Sequence, residues 1–340
     1  VRHTSITLVA ALVAGCQPIE TGDELGGQSG SLRDDPLELP DDVETLDYDQ
    51  AITQAVAVAL GADLATAWRG HVAMLEGSEE GCPSVFLGAP EDAMTDDEEV
   101  VSWAGTCSTG PLDYDGFVTW QTEVDEAGGG TRSLAADAVV LDGAGDVQFE
   151  FDGEASDDVT WFDGGGFSYS SSIEGRVSGL AMFGSDSAVP GGFRGNVDVA
   201  TSSDGSMTID ANLYLFGEPL LGRFDSVVLD IEFREGCSDE PVGYVGLRGV
   251  DGYWFDVYFL PKVPLEEIDP NALTVEAQAY PYDIIEDPVC DGCGHLFVRN
   301  VRIDSVQQVC PDFGSLAAGL SAPPVDEYVL TLHDPPWETE

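Results

Sequence analysis

The chain has 340 residues and a formal net charge of −52, from 64 acidic side chains against 12 basic ones, with Lys262 its single lysine. Such a surface repels nucleic acid and anionic lipid head groups, because binding them depends on Lys and Arg neutralising phosphates. It favours solubility and draws cations, so weak divalent-cation binding is the one ionic partnership the charge supports.

Arg2 and His3 precede an apolar run from Ile6 to Ala14. That run is far shorter than the roughly 20 residues a bilayer-spanning helix needs. A basic start, an apolar stretch and small residues before a cut describe a secretory signal peptide over residues 1–15. The segment Val13-Ala14-Gly15-Cys16 resembles the lipobox of bacterial lipoproteins. The resemblance covers residues 1–16 and implies cleavage between Gly15 and Cys16, lipidation of the Cys16 thiol and acylation of the new amine, with palmitate-type chains. Several acyl chains on one residue anchor stably where a single chain does not. Gln17 stands where the enteric sorting rule puts Asp to retain a lipoprotein in the inner membrane. By the same resemblance, the chain is lipid-anchored in the cell envelope, at the outer membrane of a Gram-negative bacterium.

Residues 16–46 read as a lipidated, disordered acidic tether, rich in Gly, Ser, Pro and acid and poor in the large apolar groups that offset ordering entropy. Residues 47–340 read as a single disulfide-stapled domain. Within it, 47–77 is helical: Ile52, Val56, Leu60, Leu64, Trp68, Val72 and Leu75 recur every three or four residues, the spacing of one helix face. Asp47 or Asp49 can cap its start, Gly61 can break it in two, and Gly77 can end it. His71 reads as a surface or boundary residue of this helix.

From 84 to 260 the period changes to two. Val147, Phe149 and Phe151, then Met207 to Leu215, Val227 to Phe233 and Tyr253 to Phe259 alternate with polar residues, as strands with one buried face do. Asp-Gly pairs at 115–116, 142–143, 152–153, 163–164, 204–205 and 251–252 suit tight hairpin turns. The expected fold is mainly β: a long antiparallel meander curved into a half-barrel or barrel, with one N-terminal helical segment packed on it. Residues 261–340 are less regular, with a strand expected at Leu296–Ile303 and a turn of helix near Ser315–Leu320.

Six cysteines follow Cys16: Cys82, Cys107, Cys237, Cys290, Cys293 and Cys310. An even number in an exported, secreted chain implies disulfides. Cys82 and Cys107 lie far upstream of the others and are expected to pair; the last four allow three connectivities. Cys290-x-x-Cys293 with His295 also has the spacing of soft zinc ligands or of a thiol-exchange pair. A following strand in place of a helix favours structural disulfides.

No catalytic residue, metal ligand or cofactor is singled out. The chain has no G-x-S-x-G elbow, H-E-x-x-H pair or phosphate-binding glycine loop. Glu91-Asp92 with Asp96–Glu99, and Asp152 with Asp157-Asp158, are oxygen-rich groups without the spacing of a calcium loop. Aromatics such as Trp103, Trp120, Trp254 and Tyr258 either fill the sheet core or line a cavity, with Trp120 in phase with the core and Trp254 and Tyr258 in phase with the exposed face. The leading reading is a non-enzymatic, lipid-anchored envelope protein whose acidic β-module serves a structural or interaction role. The alternatives are a carrier holding a small apolar ligand in a curved sheet and a secreted hydrolase with an unlocated carboxylate pair.

Overall fold

The structure is a computed structural model and describes residues 39–76, 82–83, 86–88, 98–124, 129–162, 167–179, 191–217, 219–234, 237–260, 290–299, 301–306 and 308–313. The signal segment, Cys16 and the tether before residue 39 lie outside these residues, as do the acids at 91–97 and the helical turn expected near Ser315. Pro40–Glu340 forms one compact unit. That unit reaches upstream of Asp47, the expected start of the folded region. Asp42 binds Arg223, with Oδ2 and Nε 2.9 Å apart, and Val43 is buried with its carbonyl accepting from the Tyr48 hydroxyl. An ion pair and an apolar anchor thus dock the last residues assigned to the tether.

The helical segment is two helices, α1 (Tyr48–Gly61) and α2 (Leu64–Glu76). The Asp47 carboxylate accepts from the backbone N–H of Gln50 at 3.0 Å, and that of Asp63 from Thr66 at 2.7 Å. Each satisfies an N–H that has no partner inside its helix. α1 buries Ala51, Ile52, Ala55, Val56, Val58 and Ala59. α2 packs on the middle of the sheet through Leu64, Ala67, Trp68 and His71. No helix among the described residues is long and apolar enough to cross a membrane.

The strands are β1 (Phe86–Gly88), β2 (Glu98–Ala104), β3 (Cys107–Thr109), β4 (Leu112–Val124), β5 (Gly130–Asp142), β6 (Val147–Trp161) and β7 (Phe167–Ser178). They continue as β8 (Gly192–Thr201), β9 (Met207–Leu215), β10 (Phe224–Arg234), β11 (Cys237–Gly249), β12 (Trp254–Tyr258), β13 (His295–Val298) and β14 (Val301–Arg302). All belong to one antiparallel sheet in chain order, with β3 paired to β4 beside the main path. The sheet is open: its path runs from β1 to β14 without the pairing of those ends that closes a barrel. In β9 every odd residue is buried and every even one exposed, so one face holds the core and the other meets water. Phe149, Phe151, Phe193, Phe224 and Phe255 have no exposed surface, and burying each contributes roughly 1.5–3 kcal/mol.

Among the described residues the Asp-Gly pairs divide into two kinds, and Asp163-Gly164 lies outside those residues. Asp142-Gly143, Asp204-Gly205 and Asp251-Gly252 lie at the turns after β5, β8 and β11, where the aspartate carboxylates accept from backbone N–H groups two residues on. Asp115-Gly116 and Asp152-Gly153 lie inside β4 and β6, which corrects the reading of these pairs as turns. Gly153, Gly175 and Gly195 face one another across β6, β7 and β8, all with positive φ. A glycine row of this kind kinks long strands at one level. At Gly195, φ is +146° and an added Cβ would sit 1.8 Å from the carbonyl oxygen of Asn212. Gly195→Ala is therefore expected to lower unfolding stability by about 2–4 kcal/mol. Gly61→Ala, with nothing within 4 Å of the added carbon, should be neutral or stabilising by about 0.5–1 kcal/mol. Urea midpoints of the two variants check the contrast; equal midpoints would contradict it.

The expected strand at Leu296–Ile303 is instead a hairpin, because Arg299 takes φ 51° and turns the chain between β13 and β14. Three disulfides staple the fold: Cys82–Cys107, Cys237–Cys290 and Cys293–Cys310. By loop-closure entropy each restricts the unfolded chain by roughly 3–4 kcal/mol. The backbone N–H of Cys310 also donates to the Asp49 carboxylate at 2.7 Å, tying the end of the described chain to α1.

Candidate functional site

Among the described residues all six cysteines are paired in disulfides. Cys290 and Cys293, neighbours in sequence, belong to two different bridges, so the C-x-x-C spacing makes neither a dithiol nor a thiolate pair. A carboxylate oxygen of Glu240 lies within 4.8 Å of the sulfurs of Cys237 and Cys290, but those sulfurs are spent on each other. Glu240 is buried and accepts from the backbone N–H groups of Asp291 and Gly292 at 2.8 and 3.2 Å. Burial pushes its carboxyl up, against the opposing pull of these two donors. It holds the loop closed beside the bridge. His295 stands apart, opposite Tyr258 in the sheet.

The second polar constellation is on the helix-covered face. Arg132 and Asp157 are direct cross-strand partners on β5 and β6. The Arg132 Nε and Nη2 donate to the two carboxylate oxygens of Asp157, and both residues are buried. Desolvation pushes the Asp157 carboxyl up, while Arg132 pulls it down and Asp63 and Asp158 add repulsion. The neighbouring Tyr169 phenol is pushed up to about 12, mainly by burial. Asp152 and Asp158 point to the other face, so the oxygen-rich group expected at Asp152, Asp157 and Asp158 is split across the sheet.

His71 is 1 % exposed, which corrects its reading as a surface residue. The Trp103 indole N–H donates to its Nε2 at 2.9 Å, so the ring is neutral with its proton on Nδ1. Trp68 stacks on Trp120 with ring centroids 4.1 Å apart, and on the other side lies 5.0 Å from the His71 ring. Burial holds the His71 pKa down at about 3. Such an imidazole is a core group, closed to proton transfer at neutral pH.

The exposed face is where the chain can meet a ligand. Read across the strands, Ser133 faces Ser156, then Ser172, Asp198, Asp210 and Asp230. The row beside it runs Thr131, Asp158, Ser170, Ala200 and Thr208. Between β5 and β9 these two rows line a groove of about 360 Å3, floored by the backbone of Arg132, Asp157, Ser171 and Val199. The first row continues past Asp230 to Tyr244 and Tyr258. Those two rings stack at 5.4 Å, and Phe297 meets Tyr258 edge-on at 5.3 Å. Tyr258 is thereby buried where the alternation placed it in water. Asp256 lies in the adjoining row, where desolvation raises its carboxyl to about 6.

No protein-family model, curated protein or solved structure matches the chain.

The ion pair was within reach of the alternation, whereas for the groove the alternation gives only the face on which each residue lies. Arg132 is in phase with buried Leu134 and Ala136, and Asp157 with Phe151 and Ala155. One charge of each sign at core parity is the signal of a buried pair. Ser133, Ser156, Ser172, Asp198 and Asp210 lie at exposed parity, but only the register aligns them.

Proposed function

We propose that the protein is a non-enzymatic, lipid-anchored cell-envelope module of the Gram-negative outer membrane that presents the open face of its sheet to a partner. The observation that carries this reading is the asymmetry of the sheet. One face is covered by helices and filled with aromatic side chains, while the other carries a groove lined by hydroxyls and carboxylates. Three disulfides suit an oxidising compartment, and Cys16 with its preceding small residues supplies the attachment. The groups that could do acid–base work on the covered face are committed: His71 to Trp103 and Asp157 to Arg132. A hydroxyl-lined groove offers no seat for a small apolar ligand, which sets the carrier reading behind the binding module.

Replacing Cys16 by Ser in the full chain is expected to move the protein from the membrane pellet to the soluble fraction, read by fractionation and blotting. Retention equal to wild type would overturn the anchor.

A further inference from the structure

The groove between β5 and β9 has a chemistry that selects its ligand. We propose that it binds a neutral oligosaccharide chain laid across the strands. The assignment rests on the reading of this face as a binding surface and names what binds there. The hydroxyls along the groove both donate and accept, and each carboxylate of Asp158, Asp198 and Asp210 accepts at two oxygens. A polyol with hydroxyls on every ring matches that mixture. The same carboxylates repel phosphate, sulfate and uronate groups. The guanidinium of Arg132, the basic residue of the lining, is on the opposite face, committed to Asp157. An apolar ligand would desolvate hydroxyls and carboxylates without repaying their hydrogen bonds.

Shape agrees with chemistry. Crossing from β5 to β9 at the usual strand spacing gives a trough about 19 Å long, suited to a short run of sugar rings rather than to one compact metabolite. Its volume of about 360 Å3 lies in the range of small-ligand sites, ~300–1,000 Å3. The backbone beneath the rows is rigid because every strand from β5 to β9 is paired on both sides, so little backbone ordering opposes binding. Beyond the groove the same row reaches the half-buried ring of Tyr244, which extends the track with an aromatic surface.

The test is calorimetric titration of the full chain carrying Cys16→Ser with neutral hexasaccharides of the cello, xylo, malto and chito series, and with hexalysine. At least one sugar should bind, and Asp198→Asn with Asp210→Asn should weaken it at least about tenfold, the loss expected for removing charged acceptors. Glu154→Gln with Glu174→Gln makes the same charge change on the same face outside the groove and should stay within about twofold. Binding by no sugar in the panel overturns the ligand class. Equal loss in both double variants overturns the site. Hexalysine binding more tightly than every sugar, and lost in the groove variant, replaces the sugar with a basic peptide. None of these results bears on fractionation of the Cys16→Ser protein, so failure of the ligand class and failure of the anchored-module reading are separately visible.

Discussion

Arg132→Leu is expected to lose about 3–5 kcal/mol of unfolding stability, because it strands the Asp157 carboxylate in the core without its counter-charge. Against a total of roughly 5–15 kcal/mol for a folded domain, this is among the most damaging single changes available. The loss should shrink in acid. Desolvation already raises the Asp157 carboxyl, and Arg132 is what pulls it back. Without that pull, the protonated form is the one the core tolerates. Combining Arg132→Leu with Asp157→Leu should recover most of the stability, since replacing both members of a buried pair by apolar groups is often neutral. Denaturant unfolding of the four proteins at neutral pH and at pH 4 measures both effects. A double variant as unstable as the sum of the singles would show that the pair is not an isolated two-body interaction.

The second large effect is the response to acid through His71. Its ordinary pKa of 6.5 falls to about 3 in the folded chain through burial. Between those values the unfolded chain binds a proton that the folded chain refuses. Stability from this group is therefore complete above pH 6.5 and drains away as pH falls toward 3, to a total of roughly 5 kcal/mol. Asp256 acts in the opposite sense. Its folded pKa is raised to about 6, so its contribution is present below its unfolded value and is lost as pH rises through 6. His71→Gln keeps an acceptor for the Trp103 indole N–H and removes the titration. Unfolding free energy between pH 7 and 4 should fall in wild type and stay flatter, or rise, in the variant. Identical slopes would mean that another group governs the acid response.

Much of the fold was legible because the signals that carry it are local. Period-two alternation from Val147 onward placed β6, β9, β10 and β12, and the 3.6-residue stripe from Ile52 to Trp68 placed the helices, with a break at Gly61. Alternation was less informative where two-sided burial intervenes. Tyr258 has the parity of a solvent-facing residue, yet Tyr244 and Phe297 shield it. His71 follows Trp68 and Leu64 at helix spacing, so it shares their buried face even though imidazole is usually left in water. Asp-Gly was ambiguous because glycine at positive φ serves both a hairpin turn and a mid-strand kink. Asp204-Gly205 and Asp152-Gly153 look alike in sequence, and only the strand pairings around them tell them apart.

By itself the sequence determined the β class, the helical start with a cap at Asp47 or Asp49, and an even set of cysteines beyond Cys16. Each of these is written in residues a few positions apart. The tertiary structure alone decided that the sheet stays open, that Cys237 bonds Cys290 and Cys293 bonds Cys310, and that Ser133 lines up with Asp210 four strands away. These facts depend on the register and on which distant segments meet. A one-residue slip in any strand would exchange its core and solvent faces, breaking the Arg132–Asp157 pair or dissolving the groove. The glycine row and the burial of Phe149, Phe151 and Phe193 on the core face select the one register in which all strands bury their apolar side together.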